Sequence, residues 1–157
     1  MAFSPDARQL AWAGSDGLKV RDAVAGTEIY AVKGAFDFVL FSPDGARLIA
    51  LGAEGLKILE AATGKLVREA RSRPGQRSDL AAISPDGRRL ALIGARNVIR
   101  LMDPSSGEEA LALPGHAESV VGLAFSPDGQ RIASTDLGGV MYFWDATPRR
   151  VPVERPQ

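Results

Sequence analysis

The 157-residue sequence has no cysteine, a single histidine (His116) and no net charge. Without thiols there are no disulfides and no thiolate metal sites, which suits a cytoplasmic protein. One histidine with no cysteine is a poor metal-ligand set. Basic and acidic residues number 19 each; a non-specific nucleic-acid binder needs a basic excess, so that class is set aside. No apolar run approaches the roughly 18 residues of a membrane helix. The opening "MAFSPDARQL" lacks the basic and long apolar regions of a secretory leader. Lysine is scarce, with only Lys19, Lys33, Lys57 and Lys65, and the arginine bias points to a GC-rich, bacterial genome. Nucleophile elbow, phosphate loop and H-E-x-x-H motifs are all missing, so no catalytic set and no cofactor are expected. What remains, 45% hydrophobic and 24% charged, is a chain able to bury the core of one domain.

What is present is a repeat. "FSPDA" starts at position 3, "FSPDG" at 41, "ISPDG" at 83 and "FSPDG" at 125, with spacings of 38, 42 and 42 residues. After each copy comes an apolar stretch: "RQLAWAG", "ARLIALG", "RRLALIG", "QRIASTD". A turn and a second β-rich stretch follow: "DGLKVRDA", "EGLKILEA", "RNVIRLMD", "GGVMYFWD". A further turn leads to a third stretch, and a loop to the strand entering the next pentapeptide. Four short extended segments per unit, punctuated by Gly, Pro, Asp and Ser, read as a four-stranded antiparallel meander, strands a to d. Within the pentapeptides, Pro5, Pro43, Pro85 and Pro127 preset the first central position of a type I turn. Asp6, Asp44, Asp86 and Asp128 tolerate the second, and Gly45, Gly87 and Gly129 suit the residue after it. These residues are expected to reverse the chain between strands a and b rather than to bind a metal or phosphate.

A meander recurring every 40 to 45 residues or so is the period of a propeller blade. The segment Leu113 to Asp145 resembles a WD repeat: Gly115-His116 stands before strand a, "AFSPDG" after it, and Trp144-Asp145 closes strand c. The other units keep less of the pattern, with Arg21, Leu59 and Met102 at the tryptophan position and Asp22, Glu60 and Asp103 at the aspartate position. Gly34-Ala35 and Pro74-Gly75 stand at the Gly-His position. The resemblance implies an all-β fold of four four-stranded antiparallel propeller blades, at residues 1–34, 35–73, 74–114 and 115–157. It also implies a buried hydrogen-bond chain of His, Ser or Thr, Asp and Trp. In the last unit His116, Ser134 and Trp144 supply three members. The expected Asp falls on Gly138, with Asp136 two residues earlier as its substitute and Asp145 closing the strand. The other units must hold together by packing, with Leu10, Leu48, Leu90, Ile132, Phe3, Phe41 and Phe125 buried between neighbouring blades and Trp12 and Trp144 packing there too.

Members of this family mostly present loops and edges to peptides or proteins, so a non-catalytic interaction scaffold with an unknown protein or peptide partner is expected. Two alternatives stand beside it. One is a central-channel enzyme of lactonase or dehydrogenase type, for which strand a offers only Asp37 and Asp79. The other is a fragment of a longer propeller gene without a partner-binding role. Glu108-Glu109 reads as solvated turn charge, and Arg68, Arg71, Arg73 and Arg77 as a basic loop diluted by Glu69 and Asp79.

Four blades of this kind should not close alone, whereas eight fall within the propeller range. Twofold dimers are the commonest symmetric assembly, so a homodimer closing an eight-bladed ring is expected. Circular alignment puts Met1 at the position of Leu123 and Gln157 at that of Gly115, leaving equivalents of residues 116–122 absent. "RRVPVE", with Pro148 and Pro152, reads as an outer edge strand.

Overall fold

The computed structural model describes residues 1–71 and 80–146. Expectations for Arg73, Pro74-Gly75, Arg77, Asp79, Pro148, Pro152, Gln157 and the "RRVPVE" strand lie outside the described residues. The fold is all-β. The first sheet runs in order through β1 (Ala2–Phe3), β2 (Gln9–Gly14), β3 (Gly17–Asp22) and β4 (Glu28–Val32). The second holds β5 (Phe38–Phe41), β6 (Arg47–Gly52), β7 (Gly55–Glu60) and β8 (Leu66–Arg71). The third holds β9 (Ala81–Ile83), β10 (Leu90–Ile93), β11 (Ile99–Met102) and β12 (Glu109–Leu113), with a single 3-10 turn at Ala95–Asn97. The last comprises β13 (Val120–Phe125), β14 (Arg131–Asp136) and β15 (Met141–Asp145), three strands among the described residues. Every pairing is antiparallel between chain neighbours, so each sheet is a blade-like meander.

Alternation along strand b decides how the sheets stack. Leu48 and Ala50 on β6 face one way, and their registers bring Phe41, Val39 and Leu59 to the same side. That side packs on Ala11, Leu18 and Val20 of the first sheet. Ile49 and Leu51 face the other way, where Leu56 and Ile58 join them against Ala81 and Leu90 of the third sheet. The opposite side of the third sheet, Ala91, Ile93, Ile99 and Leu101, packs on Val120 and Ile132 of the fourth. All three joints therefore have one polarity: the face carrying Leu48 and Ala50 on β6, Leu90 and Leu92 on β10, and Ile132 and Ser134 on β14 (face 1, with Leu10 and Trp12 on β2) receives the face carrying the alternate residues (face 2) of the preceding sheet. Leu48, Leu90 and Ile132 are fully buried in these joints, each stabilising the fold by roughly 1.5–3 kcal/mol.

The pentapeptides build one device four times. The Ser carbonyl accepts the N–H three residues on, from Ala7, Gly45, Gly87 or Gly129. The Ser hydroxyl accepts the strand b N–H of Gln9, Arg47, Arg89 or Arg131, each at 2.9 Å. It donates to the carboxylate of Asp6, Asp44, Asp86 or Asp128 at 2.5–2.6 Å. That carboxylate also takes the N–H two residues beyond it. The serine hydroxyl, helped by that N–H, holds all four carboxyls below their usual range. The last turn residue lies in the left-handed region, φ 71° at Gly45 and Gly87, 70° at Gly129 and 57° at Ala7, a conformation that favours glycine. Successive turns also stack. A Cβ on Gly45, Gly87 or Gly129 would lie 3.6, 3.7 or 3.4 Å from Cδ of the preceding unit's Pro5, Pro43 or Pro85.

Three expectations need correction. Phe3 is 61% exposed and Leu10 half-buried rather than buried, because they lie on face 1 of the first sheet, which no described residue covers; Phe125, packed at the edge of the third joint beneath Arg89, is likewise only half-buried. Trp12 shares face 1 of the first sheet and packs beneath the Arg21 guanidinium, 5.2 Å from its ring, rather than between sheets. Glu109 begins β12 instead of sitting in a turn, and forms an ion pair with Arg100 across the ladder. Among the described residues no helix is long and apolar enough to cross a membrane.

Candidate functional site

In the fourth sheet four buried or half-buried polar side chains form a continuous chain. Ser134 and Asp136 stand two residues apart on β14 and so share face 1. The register β14–β15 brings Tyr142 opposite Ser134 and Trp144 opposite Ile132 on that face. Trp144 Nε1 donates to Ser134 Oγ at 2.8 Å. His116 Nε2 lies 2.7 Å from Ser134 Oγ, and His116 Nδ1 lies 2.8 Å from Asp136 Oδ2. One proton arrangement satisfies every atom: indole N–H to Ser oxygen, Ser O–H to Nε2 of a neutral imidazole, and Nδ1–H to the carboxylate. The His116 hydrogen bond is the main reason the Asp136 carboxyl is held below its usual range, with the Val140 N–H also lowering it. Asp136 Oδ1 accepts that N–H at 3.0 Å, and the Asp136 carbonyl accepts the N–H of Gly139, closing the β14–β15 turn. The member expected at Gly138 is thus Asp136. Strand alternation carried this signal, since Asp136 is the next residue after Ser134 on the same face.

The aromatic rings around His116 account for the Gly-His pair. Tyr142 meets the imidazole edge-on at 4.8 Å between ring centres, and Tyr142 and Trp144 are 5.1 Å apart. A Cβ on Gly115 would sit 2.9 Å from the Trp144 ring, so that position must stay bare. The other units place apolar groups where this chain runs. In the second sheet Ala50 stands at the Ser134 position, Gly52 at that of Asp136 and Leu59 at that of Trp144. Phe36, buried in the same cluster, fills the space, with its Cα 3.1 Å from where a Gly52 Cβ would be. His116 is buried and both its ring nitrogens are engaged, by Ser134 and by Asp136, so the arrangement ties the loop before β13 to β14 and β15.

The aspartate at the end of strand c has a separate task. Asp22 accepts the N–H groups of Val24 and Ala25, and Asp103 those of Ser105 and Ser106, in the turn to strand d. Asp145, opposite Arg131 in the ladder, occupies the same position in the fourth sheet. Asp37, the one described candidate for a channel carboxylate, is exposed, and its backbone N–H bonds Leu51. A cavity of about 400 Å³ lies between the first two pentapeptide turns, lined by Asp6, Arg8, Asp22, Ile29 and Asp44 among others. Asp6 and Asp44 are already taken up by their serines, and among the described residues no group of three His, Asp or Glu could hold a metal.

Both end faces carry exposed apolar side chains. Face 2 of the fourth sheet presents Met141 at 55% and Phe143 at 70% exposure. Leu137 and Val140 are exposed at the adjoining turn. Face 1 of the first sheet presents Phe3, with Leu10 and Trp12 beside it. Gly26, which corresponds to Gly64 and Gly107, has nothing near its Cβ position. At Gly64 and Gly107 that position meets Tyr30 and Arg68 of the preceding sheet.

Four blade-like antiparallel meanders stacked with one polarity define a propeller-type repeat protein. Residues 107–145 match the family described as WD domain, G-beta repeat. The chain is also similar to Coronin-7 of Bos taurus, 39% identical over 54 residues. That match spans 34% of this chain and 6% of the relative's length.

Proposed function

We propose that the chain is a non-catalytic protein–protein interaction scaffold of the WD-repeat type, working as a homodimer that closes an eight-bladed ring. The observation that carries this reading is the polarity of the joints. Three times in the chain an apolar face 1 receives an apolar face 2, and no described residue covers face 1 of the first sheet or face 2 of the fourth. A second copy offers each end the face it lacks, and two such joints related by a twofold close the ring without leaving an apolar edge. The pentapeptide serines and aspartates serve turns and His116, Ser134 and Asp136 the blade network, and the match to the WD domain supports binding of a peptide or protein across the loops as the function; the cysteine-free composition suits the cytoplasm.

Sedimentation equilibrium of the 157-residue chain at about 10 µM tests the assembly. Dimers burying more than about 2,000 Å² in total are expected, and a stable monomer or a ring of another copy number overturns the proposal. Turnover of lactone, ester or phosphoester substrates by a metal-loaded sample, abolished at Asp37 or Asp79, would overturn the non-catalytic assignment.

A further inference from the structure

The joint between the third and fourth sheets carries a polar latch. Arg89, the residue just before β10, passes over the Phe125 ring with its guanidinium carbon 5.7 Å from the ring centre, and donates from Nη1 to the Ala146 carbonyl at 2.6 Å. The three participants occupy fixed repeat positions: residue at the start of strand b, pentapeptide aromatic, and residue following the strand c acid. In the first joint these positions hold Gln9, Phe41 and Ala61; there Tyr30 Oη supplies the hydrogen bond to the Ala61 carbonyl at 2.9 Å. In the second they hold Arg47, Ile83 and Pro104. At the two open ends the set is Arg131 on face 2 of the fourth sheet and Phe3 and Ala23 on the first sheet, residue for residue that of the latched joint. Phe3 and Arg131 are both exposed.

We infer that Arg131 is the latch between copies of this chain, stacking on Phe3 and donating to the Ala23 carbonyl of the second copy. This rests on the homodimer proposed above and adds its orientation: face 2 of one copy on face 1 of the other, in the register of the joint between the third and fourth sheets. The pentapeptide turns fix the same register. Gly129 packs on Pro85 within the chain, so Ala7 of the second copy packs on Pro127. A guanidinium suits both contacts at once, because its plane stacks on a ring while its edge donates. An ammonium in its place keeps the charge and loses the stacked plane.

Analytical ultracentrifugation of the full chain with Arg131→Ala, Arg131→Lys and Phe3→Ala tests the latch. A charge-assisted hydrogen bond lost at each of two joints should weaken the dimer about a hundredfold for Arg131→Ala, taking about tenfold per joint. Arg131→Lys should lose less, and Phe3→Ala should weaken it in the same direction. Folding of each variant is checked by far-UV circular dichroism; Phe3→Ala carries the test if Arg131→Ala does not fold. Because the chain has no cysteine, orientation is read by oxidation. The double variant Ala7→Cys with Pro127→Cys should cross-link into dimers, and Pro127→Cys alone should not. A parent dimer indifferent to Arg131→Ala and Phe3→Ala, or cross-linked through Pro127→Cys alone, overturns the latch while leaving the dimer standing. A monomeric parent overturns the assembly itself.

Discussion

Replacing Ser134 by alanine removes one oxygen and strands two buried partners. Ser134 is fully buried and both its hydrogen bonds are short, 2.8 Å from Trp144 Nε1 and 2.7 Å to His116 Nε2. The indole N–H then has no acceptor, and the imidazole nitrogen has no donor. An unsatisfied buried group costs about 1–3 kcal/mol, so two stranded groups, offset by the lost desolvation of the hydroxyl, give a net loss of about 2–4 kcal/mol. With a urea slope of about 2 kcal/mol/M for a chain of this size, the midpoint falls by about 1–2 M. Ser134→Thr keeps the oxygen and should cost less than about 1 kcal/mol. The assay is urea unfolding followed by circular dichroism at one fixed protein concentration, since association adds to apparent stability. A Ser134→Ala midpoint within about 0.5 kcal/mol of the parent, with the Trp144 indole proton resonance unmoved, would refute the claim that the network holds the fourth blade.

Leu90→Ala deletes a fully buried side chain between the second and third sheets and should cost about 2–5 kcal/mol in the same urea assay. Ala7 occupies the left-handed position that glycine fills in the other three turns; Ala7→Gly relieves strain of about 1–2 kcal/mol, less the added backbone entropy of glycine, and should raise the melting temperature. The turn aspartates and Asp136 have folded pKa values depressed below the unfolded value of about 3.9. Their stabilisation is complete above that pH and disappears as pH falls through the lower folded values. Urea midpoints should accordingly hold from about pH 5 upward and decline below about pH 4, and Ser42→Ala with Ser84→Ala should flatten that decline.

The repeat, the strand periodicity and the turn chemistry were legible in the linear sequence because each depends on residues only a few positions apart. Pro-Asp-Gly presets a turn from its own backbone preferences, and alternation in "RLIALG" or "RIASTD" needs no knowledge of neighbours. The serine of each pentapeptide escaped that reading. Its role, joining the turn to strand b five residues on while anchoring the aspartate, shows only when the hairpin is closed. Tertiary structure alone decided three further things. It carried His116 from its loop onto the face that Ser134 and Asp136 share, a meeting of chain segments about 20 residues apart that alternation along one strand does not specify. It left Phe3 exposed while burying Phe41 in the same pentapeptide position, because burial there is conferred by the face of a preceding sheet and no described residue covers that face of the first sheet. It also gave every joint one polarity, a property of stacked sheets that strand alternation within one unit does not specify.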